Sequence, residues 1–163
     1  MSVVSDRQRK GSPLVRYIHT LKARRDREEG FTLIELMVVV LIIAILIAIA
    51  IPTFLGARER AQDRGAQSDL RNALVAAKTF YTDNETYTGV LADLPNIEPS
   101  LSYGAAGSKT VVGVSGTSDT EVVLTKQSKS DTWFAICEDL TSGTTYGEGA
   151  SEAAAAACGL SEW

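Results

Sequence analysis

One acid stands inside an apolar run. Residues 31–51 carry a single charge, Glu35, among Leu, Ile, Val, Ala and Met. A carboxylate placed in lipid costs about 2.5–3.5 kcal/mol on insertion scales, so its ionised form calls for a positive partner. Just upstream, Gly30 meets Phe31 at the head of the apolar run. Two further residues can do chemistry, Cys137 and Cys158. They stand apart rather than in a CxxC pattern, so neither a zinc site nor a thioredoxin-like motif is indicated. They either close a loop, worth on the order of 3 kcal/mol by chain entropy, or lie buried as free thiols. The sole histidine is His19. Beyond it the chain lacks a His-assisted nucleophile and His metal ligands, so an enzyme is the weakest reading. Catalytic residues, cofactors and a metal site are all expected to be absent. Asp131, Glu138 and Asp139 are acids with no EF-hand spacing, and the solvated reading is preferred for them.

The charges divide the chain. Residues 1–30 hold 8 of the 16 Lys and Arg and 4 of the 20 Asp and Glu. The remaining 133 residues hold 8 bases and 16 acids, a net of -8. An acidic body argues against a nucleic-acid partner, which selects a basic face. The basic head before the apolar run keeps residues 1–30 in the cytoplasm by the positive-inside rule. The run itself, at 1.5 Å per residue, spans the hydrocarbon core of a bilayer as a helix. A plain anchor, or a secretory signal cut after Ala48-Ile49-Ala50, would explain the run. Neither explains Glu35 or the junction of Gly30 and Phe31.

That combination resembles a known family. "GFTLIELMVVVLIIAILIAIAIPTF", residues 30–54, is similar to the N-terminal signature of type IV pilins and their relatives, the class III signal. The resemblance implies a leader, residues 1–30, removed by a membrane prepilin peptidase between Gly30 and Phe31. The same enzyme would methylate the Phe31 amine. Glu35 would be the acid that drives assembly, paired with the amine of a neighbouring subunit. Before assembly the chain would be a single-pass protein of the cytoplasmic membrane. Afterwards it would be part of an extracellular fibre, a helical homopolymer built by an ATP-driven pilus assembly machinery. Two positions depart from the common pattern: Glu28 and Glu29 precede the cut, and Ala44 stands where a helix-loosening glycine is frequent. The implied fold is α+β, a long N-terminal helix packed on a small antiparallel sheet. The cysteine pair resembles the C-terminal disulfide loop of many pilins. The main rival is a major pseudopilin of a type II secretion system. Another is a membrane-anchored binding module that never polymerises.

The elements must then position these residues. Residues 31–52 form the membrane or fibre-core half of one helix, and Pro52 should kink it rather than end it. Residues 53–83 continue as an amphipathic half. Leu70, Ala73, Leu74 and Ala77, then Phe80 or Tyr81, recur at helical spacing and should pack on a sheet. Arg58, Glu59, Arg60, Asp63 and Arg64 form a charged cluster, read as a solvated face or as pairing between subunits. Residues 84–163 form a globular head. Pro95 and Pro99 mark 84–108 as a connecting loop. Strands are expected at 109–115, 120–127 and 131–138, with a weak fourth at 143–147. Residues 150–160 are either a short helix or an Ala-rich tail. Trp163 is open between exposed anchor and core plug.

Overall fold

A computed structural model describes residues 30–163. The expected leader lies, but for Gly30, outside the described residues. Helix α1 spans Leu33–Asn84 and α2 spans Val90–Ile97. Five strands follow, β1 Ser102–Gly104, β2 Val111–Ser115, β3 Glu121–Gln127, β4 Trp133–Asp139 and β5 Gly143–Gly149. Helix α3, Glu152–Ala156, comes last. The architecture is α+β, with a helix on a mostly antiparallel sheet. The chain forms two compact units, one ending at Ile49 and the other Ala50–Trp163.

In the second unit the α1 stripe is Ala66, Leu70, Ala73, Ala76, Ala77 and Phe80, all buried. Spacings of three and four put these small and large side chains on one face. They share one core with Val112, Val114, Val122, Leu124, Phe134 and Ile136 of the sheet. The strands alternate in period two. Val122, Leu124 and Lys126 of β3 therefore face α1, while Val123 and Thr125 face away. The outer face is covered too, which is why β3 is buried from Val122 to Lys126. Helix α3 sits there, capped by the Ser151 side chain, which accepts from the Ala154 N–H. Its close approach depends on Gly147, where a Cβ would lie 1.8 Å from the Ala155 carbonyl oxygen. Residues 150–160 thus resolve as a short helix rather than a loose tail.

The sheet order is β1-β2-β3-β4-β5, with β1 parallel to β2 and every other pair antiparallel. The weak fourth strand is a full partner, β5, paired over seven residues with β4. The segment 84–108 corrects the expectation of a plain loop. It contains α2, with Pro95 inside it, and the short strand β1. In so short a helix a proline removes one donor. Complete burial of Val90 and Leu94 beside Tyr87 outweighs that loss.

Helix α1 ends on Glu85, whose φ of 57° is left-handed and whose N–H donates to the Tyr81 carbonyl at 2.7 Å. Trp163 is a plug. Its ring meets Phe134 and Tyr146 edge-on, at 5.7 and 4.7 Å between centroids. Its indole N–H donates to the Gly147 carbonyl at 3.0 Å.

Candidate functional site

The site begins where α1 begins. Gly30, Phe31 and Thr32 precede the helix, without regular structure, and all three are exposed. The junction of Gly30 and Phe31 is therefore open to solvent. Phe31 is 85 % exposed. Thr32 is the cap. Its hydroxyl accepts from the Glu35 N–H at 3.2 Å, and its carbonyl accepts from the Leu36 N–H at 3.2 Å. Thr-Leu-Ile-Glu is the sequence of a capping box, with Glu35 at the third helical position. A carboxylate in the first turn also meets the positive end of the helix dipole. The local sequence therefore holds Glu35 in the first turn of the helix, three residues after its cap. Its carboxylate has no ion-pair partner among the described residues.

Around this acid the first half of α1 is apolar on every side. Eighteen large apolar side chains from Phe31 to Leu55 are exposed, none by less than 47 %. Helix α1 is long and apolar enough to cross a membrane. A helix apolar all round must lie in lipid or among other apolar surfaces. Pro52 lies within α1, and the helix runs on through it to Asn84.

In the head, Cys137 and Cys158 are joined by a disulfide, with their Cα atoms 6.2 Å apart. It ties the segment after α3 to β4. The three late acids are held by different partners. Asp131 pairs with Lys109 at 2.6 Å, and buried Glu138 pairs with Lys78 at 2.9 Å. Asp139 accepts from the Thr141 hydroxyl at 2.5 Å, the Thr141 N–H at 2.6 Å and the Ser142 N–H at 3.1 Å, which hold its carboxyl below the usual range. In the charged cluster, Asp63 accepts from the Ser130 hydroxyl.

Sequence reasoning missed two ion pairs between helix and sheet. Lys126 Nζ lies 3.1 Å from Asp69 Oδ2, with the lysine side chain only 7 % exposed. Lys78 and Glu138 form the second. The signal was present: Lys126 follows Val122 and Leu124 at period two, and Glu138 follows Phe134 and Ile136. Each is a charge on a strand face that otherwise reads as core.

Comparison with known proteins agrees with this geometry. The prokaryotic N-terminal methylation motif matches residues 25–51. The type IV wide pilus major component PilA4 of Thermus thermophilus is 35% identical over 114 residues, covering 68% of this chain and 82% of that protein. The type IV major pilin protein PilA of Myxococcus xanthus is 45% identical over 62 residues, 38% of this chain and 28% of that protein. The type II secretion system core protein G of Escherichia coli is 37% identical over 89 residues, 50% of this chain and 61% of that protein. No solved structure matches the chain.

Proposed function

This chain belongs to the type IV pilin family and is a structural pilus subunit, and from that premise we propose how its N-terminal site works. A prepilin peptidase cuts between Gly30 and Phe31 and methylates the new amine of Phe31. The trimmed chain waits in the cytoplasmic membrane with its apolar helix half in lipid. Glu35 lies four residues from the new amine, and a helix continued back to Phe31 would bring the two onto one face. In lipid an unpaired Glu35 is costly, and the amine of a subunit already in the fibre relieves that cost. Charge sets the register, and the apolar surface supplies adhesion. Pro52 bends the helix where the lipid-borne half meets the amphipathic half. The product is a helical homopolymer on the cell surface, added to by the assembly machinery. The chain's role is structural rather than catalytic.

The observation that carries this reading is Glu35. It is the single charge in the apolar half of α1, capped in place by Thr32 just after the junction of Gly30 and Phe31. The similarity to core protein G favours a second reading, a pseudopilin whose fibre serves secretion. The disulfide weighs toward the pilin.

The test is the mass and N-terminus of protein sheared from cell surfaces, for the native chain and for Glu35→Ala. The native chain should begin at N-methylated Phe31 and weigh two hydrogens less than its reduced form. Glu35→Ala should be trimmed yet absent from the sheared fraction. A chain retaining Met1, or Glu35→Ala fibres at native yield, would sink the mechanism.

A further inference from the structure

The second unit is electrically polarised along α1. After residue 30 the chain has eight Lys and Arg, and four of them, Arg58, Lys109, Lys126 and Lys129, line one groove. The groove runs between α1 and the turn from β3 to β4, with a volume near 400 Å³. Lys126 is neutralised by Asp69 and Lys109 by Asp131. Arg58 and Lys129 have no ion-pair partner among the described residues; Glu59 lies beside them, and Asp63 is held by the Ser130 hydroxyl next to Lys129.

The far end of the same unit is acidic. Asp83 and Glu85 lie where α1 closes, 25 residues beyond Arg58, or about 37 Å along a helix. Asp119 is brought there by the Thr86 hydroxyl, which donates to it at 3.0 Å. The Tyr87 N–H donates to the Ser118 carbonyl at 3.2 Å, fixing the same loop to the helix end. Glu121 and Asp139 stand directly opposite each other in the ladder of β3 and β4. Like charges so placed repel. Among the described residues no ion pair relieves any of these five acids. Lysine and arginine are absent from the helix between Lys78 and Asn84 and from the strand ends beside it.

We infer that the basic groove at Arg58 and Lys129 is a seat for the acidic far end of a second copy of this chain. The inference rests on reading the chain as a fibre subunit and extends that reading to the heads. Two different patches that fit one another make a head-to-tail contact. Such a contact generates an open filament whenever its rotation does not close a ring. Complementary charge sets orientation and excludes wrong registers, since like charges brought together are strongly unfavourable. In the fibre, the repulsion between Glu121 and Asp139 is relieved by the neighbour's cations.

The test is charge reversal at each end in the full chain, with sheared fibre as the readout. Arg58→Glu with Lys129→Glu should lower fibre yield about tenfold, and Asp83→Lys with Glu85→Lys should do the same. All four together should restore yield to within about threefold of native, because the swapped charges attract again. Membrane levels of the trimmed chain, with its cysteines still blocked to thiol reagents, show that each variant folds. Either reversal assembling at native yield, or the fourfold variant remaining as deficient as the pairs, would overturn the inference while leaving the pilin reading intact. A native chain that yields no fibre would overturn both.

Discussion

Lys126 Nζ lies 3.1 Å from Asp69 Oδ2, which ties the central strand to α1 through a lysine almost closed to solvent. A buried pair is less a source of stability than a commitment, because removing one partner strands the other. Asp69→Ala should lower stability by about 2 kcal/mol, less than a fully buried pair would show because Asp69 is partly exposed. Asp69→Leu with Lys126→Met should come within about 1 kcal/mol of native. Denaturant melts of the detergent-held chain separate the two outcomes.

Two glycines should respond in opposite directions to alanine. At Gly147 a Cβ would meet the Ala155 carbonyl oxygen, so Gly147→Ala should displace α3 and cost about 2–3 kcal/mol. At Gly65, inside α1, a Cβ meets nothing within 4 Å. Gly65→Ala should therefore gain about 0.5–1 kcal/mol from helix propensity. Thermal unfolding of the two variants, run side by side, checks both signs.

The Tyr103 hydroxyl is buried with no hydrogen-bond partner. Burial, then the nearby charges of Glu98 and Asp69, push its pKa up to about 12. Its folded value exceeds its unfolded value of 10.0, so the fold holds the proton that the unfolded chain releases. Stability should thus be whole below pH 10 and fall as pH rises from 10 toward 12. Tyr103→Phe should flatten part of that fall and leave neutral-pH stability equal or about 1 kcal/mol higher. Alkaline titration of unfolding midpoints measures it. Tyr87, raised by burial and then by Glu138, keeps a residual slope in the variant.

Thr32 caps the turn that carries Glu35. Thr32→Ala should weaken the helix start by about 1 kcal/mol, and Thr32→Ser should not. Amide exchange at Glu35 and Leu36 in micelles reports the fraying directly.

The Cys137–Cys158 bond should contribute about 3 kcal/mol by the chain-entropy account. Serine at both positions should lower the melting temperature and release the segment after α3 to proteolysis.

Much of this is legible in the amino-acid sequence. Glu35 and the junction at Gly30 stand out because a charge in an apolar run is rare. The stripe from Leu70 to Phe80 and the three main strands follow from periodicity alone. Helix α2 did not, because Pro95 argues locally for a loop while the burial of Val90 and Leu94 decides otherwise. The parallel strand β1 is three residues long, too short for a pattern. Strand β5, with three glycines, reads only as a weak strand until α3 is seen to need two of them, Gly147 and Gly149. The pairs of Lys126 with Asp69 and Lys78 with Glu138 join residues distant in sequence. Their chemistry is set by which faces meet, and no single segment states that.

The strands neighbour one another in space in the order in which they occur along the chain. Each new strand finds its partner immediately behind it, so no edge waits open for a late arrival. Loops that close early cost little entropy and keep folding ahead of aggregation. A head of this topology can assemble progressively, strand after strand along the chain. Cys158 is the last of these elements along the chain, and its bond to Cys137 latches the segment after α3 onto β4.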